Sequence, residues 1–462
     1  MRSNAALARR RGGVFCCVLL SALTVVWLTE ARAADVFVAT AGGSSGRGAL
    51  LGSRSDIVRP ALPALHTRVR LRFQDNRVYI LQGEGRDQLL VLIPSAWLAP
   101  AIEFSTGPGS DPRDVVALPD DELYISLHGG SEVVRVDAYS GEVQARIDLS
   151  ALDTDGNPDM TKMIRRGDRL YVLCERLGAP TGTIAVIDMR TESALDMEPA
   201  TPGLQGLELG GLAPTCLLGL GERLIVPTSE GIEELDPVSR GRRVLLTAAE
   251  LGGVVQGIAL RSNRQGYAAV QAGEAFHVVP VDLLARTAGA PLTGLTGGRI
   301  NDLVIDDNRL IVADDGTFEF DFAAGLYIYD VDTGSLLAGP IDTGQKPKRL
   351  VVVAQRTITA VESGVGQSLP ATSRLLIPFP NPFNAGVVLP LQLHSDTKVR
   401  LTIHNLAGMR VRTLLRGSAA PGGRSIRWDG RDDGGRAVAS GVYFARLLTG
   451  AGTSTRRLVL VR

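Results

Sequence analysis

Cysteine is scarce in this chain: four residues, of which Cys16 and Cys17 fall inside an N-terminal apolar run. The other two, Cys174 and Cys216, are too few for a disulfide framework. Each lies in an apolar, strand-like stretch, and reads as a small buried hydrophobe or as half of a single bridge. Histidine is nearly as sparse. His66, His128, His277, His394 and His404 share no metal-ligand spacing, which argues against a His-based zinc site. No G-x-S-x-G elbow and no P-loop is present, so two common hydrolytic and phosphate-handling signatures are missing. Beyond the run near the start, no apolar stretch approaches the length that spans a bilayer, so the chain reads as not membrane-spanning.

That run has its own reading. Arg9, Arg10 and Arg11 precede "VFCCVLLSALTVVWL" (14–28), and Ala31–Ala33 forms a small-x-small site. A positive flank, a short apolar core and such a site predict a secretory signal peptide over 1–33, cleaved near Ala33. Cys16 and Cys17 lack the preceding Leu and small residues of a lipidated cysteine. The expected location is secreted, extracellular or on the outer cell surface, with the periplasm as alternative.

What the chain does have is glycine, 53 residues, in a sequence that is 45% hydrophobic and 5% aromatic, a mix that suits a turn-rich β protein. Its formal charge of zero hides an asymmetry. Residues 34–370 carry 30 basic and 44 acidic side chains, whereas 371–462 carry 14 basic and 4 acidic. A split from −14 to +10 predicts two modules with different partners.

The first module repeats. "PRDVVALPDDELYISLHGGSEVVRVDAYSGEV" (112–143) and "INDLVIDDNRLIVADDGTFEFDFAAGLYIYDVDTGSL" (300–336) share one plan, seen also at 167–193, 221–241, 266–287 and 76–96. An apolar strand, an Asp-rich turn, a second strand and a loop lead to a third strand ending in Asp. The closing residues Asp137, Asp188, Asp236, Asp282 and Asp330 are spaced by 51, 48, 46 and 48. A repeat of about 45 residues with four short strands marks a β-propeller blade. Seven blades are favoured over six, with "KRLVVVAQRTITAVES" (348–363) giving two strands to a last blade. The stretches 35–43 and 56–62 would complete it and close the ring. The copies resemble secreted bacterial propellers with YVTN-type or NHL-like repeats. That resemblance implies the fold, which hosts binding platforms, scaffolds, lactonases and lyases alike.

The strand 2–3 loops and blade-to-blade loops emerge on one face, and the long ones are 82–88, 151–162, 174–183, 198–214 and 313–325. They read either as solvated turns without a ligand or as the place of a ligand site, on this face near the central channel. Asp153, Asp155, Asn157 and Asp159 place oxygen ligands at alternate positions, as a calcium loop does. Pro158 replaces the turn glycine and Ile164 the bidentate Glu, so an Asx turn competes with calcium. No other cofactor is expected. Asp314, Asp315, Glu319 and Asp321 alternate with Phe318, Phe320 and Phe322, a grip for a protein or carbohydrate ligand or else a long hairpin with one buried face. A lactonase-like site needs Glu, Asn and Asp at the channel. Asn301 and Asp302 open a blade, without a third partner evident.

After "SGVGQSLPATSR" the pattern changes to alternating strands broken by Gly, Asn and Asp turns, predicting a small β-sandwich. The motifs here are Pro380, Asn381, Pro382, Phe383 and Asn384; "NLAGMRV" (405–411) with Gly408; and "WDGRDDGGRAVASGVY" (428–443). The last contains Trp428, Asp429, Gly430, Asp432, Gly435, Gly441 and Tyr443. In order, they resemble the immunoglobulin-like domain of flagellar hook-capping proteins and are similar to the C-terminal sorting domain of the type IX secretion system. The resemblance implies export or surface attachment, through secretion machinery or the anionic cell envelope; a plain structural sandwich is the other reading. Trp428 and Asp429 lie outside the repeat and read as a core residue and a turn, not as a blade-closing pair.

The expected organisation is all-β: signal peptide 1–33, propeller 34–362, linker 363–378 and Ig-like module 379–462. The expected role is a non-enzymatic binding or adhesion scaffold, and the alternative a propeller hydrolase or lyase using carboxylates at the channel mouth. Nucleic acid is not an expected partner, because no aromatic-basic recognition module accompanies the basic tail.

Overall fold

Strand 2 of each repeat is a continuous apolar run, "RVYIL" in 77–81 or "RLYVL" in 169–173, rather than an alternating one. Such a run is stable only if both sheet faces are covered. They are covered by packing blade against blade. The structure, a computed structural model, describes residues 35–353 and 373–461, apart from 43–44, 53–57, 61–63, 95–96, 98–99, 119–120, 263, 318–322, 376–377, 379–380, 382, 385, 394–396, 420–421 and 451. Residues 1–33, read from sequence as a signal peptide, and Phe318, Glu319, Phe320, Asp321, Phe322, Pro380 and Pro382 lie outside the described residues.

Seven antiparallel sheets form the blades, named here in the order of their innermost strands. Those strands are Val69–Gln74, Pro112–Ala117, Met160–Arg166, Leu218–Leu220, Val254–Leu260, Ile300–Asp306 and Lys346–Val353. Seven hydrophobic clusters fill the seams, one for each pair of neighbouring blades. The seam that closes the ring packs Phe37, Ala39 and Val353 of blade 7 against Val78, Ile80, Leu90 and Leu92 of blade 1.

Blade 7 is shared between distant parts of the chain, as the sequence implied; the second strand read in 348–363 lies outside the described residues. Lys346–Val353 is its one described strand from the C-terminal side; Asp35–Gly42, Ser45–Leu51 and Val58–Pro60 supply three. Ser45–Leu51 carries Arg47 among small residues, which masked its strand character. Elsewhere the turns follow residue chemistry. Asp75 and Asn76 both take positive φ, 51° and 58°, in the two-residue hairpin of blade 1. Asp137, Asp188, Asp236, Asp282 and Asp330 each accept backbone N–H groups two or three residues on.

The C-terminal module is a β-sandwich. One sheet runs Arg374–Leu375, Val387–Leu393, Gly422–Trp428; the other Arg410–Ala419, Thr397–Asn405, Gly441–Thr449, Gly452–Leu460. Its first strand falls inside the stretch read from sequence as linker. Trp428 is wholly buried, edge-on to Tyr443 at 5.2 Å and tilted to Phe383 at 5.5 Å. Arg456 of the last strand pairs with Asp121, in the first turn of blade 2. Among the described residues no helix is long and apolar enough to cross a membrane.

Candidate functional site

Five of the innermost strands carry a β-bulge near their start. The skipped residues are Arg113, Thr161, Gln256, Asn301 and Lys348, all polar. A bulge bends its strand and re-aims the side chains after it. The bulges lie at the end of each inner strand that receives the blade-to-blade loop, and so on the loop face.

Register places the next residues at one level of the channel. Arg70, Asp114, Lys162, Gly257, Asp302 and Arg349 each pair with the fifth residue of their blade's second strand: Leu81, Ser126, Leu173, Ala269, Ala313 and Ala39. In blade 4 the chain crosses this level at Thr215, whose N–H donates to the Pro227 carbonyl at 3.2 Å. Side chains alternate across a strand. Two residues on, Val116, Ile164, Ala259, Val304 and Val351 all pack in the seam with the following blade. The ring residues therefore share one orientation, each turned toward the next blade.

Two of them lock blades together. Arg72 donates to both oxygens of Asp114, at 2.9 and 2.6 Å, and also to the Met163 carbonyl at 2.6 Å. Asp114 further accepts the N–H groups of Val115 and Met163. Burial would raise the Asp114 carboxyl, but Arg72 and then Lys162 hold it below its ordinary range. Asp302 similarly accepts Leu303 and Leu350 N–H, the latter from the next blade. Asn301 donates to the Pro347 carbonyl, and Arg349 to the Asn301 carbonyl. The two residues of the lactonase-like expectation are thus inter-blade straps.

Around the mouth, burial lowers Arg70 to about 9, with Arg349 and Arg113 adding to the effect and Asp111 and Glu175 opposing it. Burial also lowers Lys162, against the pull of Asp114. Glu175 is pushed up by burial. His128 has Asp111 at 3.8 Å and Asp159 at 3.9 Å, one at each ring nitrogen, and burial and Arg113 lower it. Arg113 donates twice to Asp111.

The residues singled out from sequence divide. Asp315 reaches the mouth, ion-paired with Lys348 at 2.8 Å. Asp314 does not: it is buried, accepting from Thr296 N–H and hydroxyl and from Gly316 N–H, and it pins the loop before its blade. In 153–159, Asp155 accepts Asn157 N–H and Asn157 accepts Asp159 N–H, an Asx-type turn. Asp159 turns inward to Leu177 N–H, and Asp153 lies 4.0 Å from Arg176. Among the described residues no three His, Cys, Asp or Glu side chains are grouped to hold a metal ion. Cys174 and Cys216 are free thiols, both pushed up to about 12 by burial.

The ring of Arg70, Lys162 and Arg349 was not read from sequence. The available signal was a polar residue recurring in otherwise apolar inner strands. A groove of about 1010 Å³ between blades 3 and 4 opens at the opposite end among Gly167, Gly221 and Val238. Its Arg165, Arg166 and Arg240 are engaged by the carbonyls of Gly167, Arg223 and Met197.

The described motif residues of the sandwich make their contacts within the module. Asn381 brackets the last strand, donating to the Arg457 carbonyl and accepting Val459 N–H, while Phe383 bridges to Leu460. Asn384 is exposed. Gly408, Gly430, Gly435 and Gly441 all have positive φ. Trp428 Nε1 donates to the Arg431 carbonyl, Asp429 pairs with Arg412, and Asp432 accepts Gly434 and Arg436 N–H. Tyr443 hydroxyl donates to the Ala439 carbonyl.

Residues 385–448 match the FlgD Ig-like domain. The FlgD Ig-like match covers the sandwich strands from Val387 to Leu448 and leaves the propeller outside it. For the propeller the comparisons are structural. A Lactobacillus plantarum protein is 15% identical at a TM-score of 0.51, over 69% of this chain and 98% of its own. Hydrazine synthase of Kuenenia stuttgartiensis gives 13%, 0.46, 68% and 97%. PorZ of Porphyromonas gingivalis, described as an essential surface component of the type IX secretion system, gives 13% and 0.42 over 93% of this chain. The chain spans 58% of the PorZ structure's length. At these identities the likeness is one of fold. The chain matches no curated protein sequence.

Proposed function

We propose that the protein is a secreted or cell-surface binding scaffold. Its propeller offers the loop face to a protein or carbohydrate ligand, and its basic FlgD Ig-like module serves export or surface attachment. The observation that carries the reading is the channel mouth, where polar groups of successive blades meet at one level on a frame with every seam filled. A rigid frame presents ligand groups without an ordering cost at binding. The loop 313–325 contributes Asp315 and, in this reading, Phe318, Glu319, Phe320 and Asp321. The N-terminal Arg cluster, apolar run and small-x-small site support export, and the +10 charge of the tail supports docking on an anionic envelope.

Two measurements test it. The mature chain is screened on glycan and peptide panels beside an R113E/K348E variant. Specific capture lost in the variant is expected; no capture by either protein refutes the binding role. Deleting 379–462 should abolish surface display, with attachment of the intact chain weakening as salt rises. Unchanged display would refute the sorting role. A second reading, a hydrolase or lyase, is favoured by His128 between Asp111 and Asp159 with Glu175 alongside; conversion of a captured ligand would select it.

A further inference from the structure

We propose that the channel mouth binds a multiply charged oxyanion, carboxylate or phosphate, between Arg70, Arg349 and Lys162. The inference rests on the binding role of the same mouth and names the chemistry of its ligand.

The three cations sit on the ring level defined by strand register, in blades 1, 7 and 3. Blades 7 and 1 are neighbours through the closing seam, and Arg349 faces blade 1. The two guanidinium-bearing positions are thus adjacent with no carboxylate position between them. Gly257 adds no side chain at this level in blade 5, where Leu303 of blade 6 lies 3.1 Å from the position a Cβ would take.

None of the three has an anionic partner within ion-pair distance among the described residues. Among the described residues Arg70 donates only to the carbonyl of Val69, and Arg349 to that of Asn301. Lys162 is half-buried, and among the described residues its ammonium group makes no hydrogen bond. The carboxylate that acts on it electrostatically is Asp114, whose four acceptor positions are already filled by Arg72 Nε, Arg72 Nη2, Val115 N–H and Met163 N–H. Asp302, on the ring, has an amide on each oxygen. The carboxylates near Arg70 are Asp111, held by Arg113 at 2.6 Å, and Glu175, whose ionisation burial disfavours.

Unpaired cations in a desolvated place are costly, and ordinarily such groups are paired or bind a ligand. Two guanidinium forks and one ammonium offer many N–H donors and no acceptor. That donor set fits the planar edge of a carboxylate or the oxygens of a phosphate, not a neutral hydroxyl. Arg70, Lys162 and Arg349 each keep partial exposure just inside the bulges, so a small anion, or the acidic group of a larger ligand, would enter from the mouth.

The test uses the mature full-length chain at low, matched ionic strength, with citrate and pyrophosphate as probes and glucose as neutral control. Calorimetric titration and thermal melts of the wild type should give saturable binding and stabilisation by citrate, pyrophosphate or both. The stronger probe tells carboxylate from phosphate as the preferred group. In K162Q and R70Q the affinity should fall about tenfold or more each, while the unliganded variants melt at or above the wild-type temperature. Absence of saturable binding of either probe to the wild type up to about 10 mM, or equal affinity in an R70Q/K162Q variant, overturns the proposal. Panel capture that survives alongside either result leaves the scaffold role standing without the anion site, whereas loss of both would remove the two together.

Discussion

At the scale of single residues, Asp236 shows how this sequence builds its turns. It ends the third strand of blade 4 and accepts Val238 and Ser239 N–H at 2.9 and 3.2 Å. Those bonds, with the Ser239 hydroxyl first and Arg223 among the rest, hold its carboxyl down to about 2. A folded-state value below the unfolded one means the contribution to stability is full above about pH 4 and is lost as pH falls to about 2. D236A should therefore melt below the wild type at neutral pH, with the deficit shrinking between those limits. Paired thermal melts across pH check this; a deficit of constant size down to pH 2 would contradict it. Asp188, Asp282 and Asp330 are lowered by the same kind of backbone bond, so the whole set should titrate together in acid unfolding.

Elements differ in how openly the sequence declares them. Second strands such as Arg77–Gln82 and Arg169–Cys174 are apolar on both faces and bounded by turns, so blades could be counted from spacing alone. The bulges could not. An inserted residue such as Arg113 or Asn301 leaves the composition of a strand unchanged and shows only in register. For the same reason Asp314 and Asp315, adjacent in sequence, were grouped, although one pins a loop from inside and the other reaches the mouth. The sandwich was more legible, because its motif residues do local work: Trp428 as core, Asp432 as turn. Trp428 fills the space between Phe383 and Tyr443 with its Nε1 hydrogen bonded, so W428A leaves a large cavity. A loss of about 3–5 kcal/mol is expected, read as an earlier denaturant transition of the sandwich. A loss under about 1 kcal/mol would mean that its core is not organised around this indole.

For the whole molecule, the ring depends on a join between the two ends of the propeller segment. Asp35–Gly42 pairs on one side with Ser45–Leu51 and on the other with Lys346–Val353. It also supplies side chains to both flanking seams: Val36 and Val38 toward blade 6, Phe37 and Ala39 toward blade 1. Because the join is non-local, blades 1, 6 and 7 are not complete against both neighbours until it forms, and closure should make the ring unfold as one unit. Arg349 pairs with Ala39 in this same ladder, so the join also positions a third of the proposed anion cluster. Removing residues 35–60 should expose the Lys346–Val353 edge and strip two seams at once. The expected result is a broadened, less cooperative denaturant transition with self-association through the open edge, seen by size-exclusion chromatography, and with citrate and pyrophosphate binding gone. A shortened chain that stays monomeric and unfolds with the full-length denaturant slope would show instead that six blades hold their arrangement without the seventh.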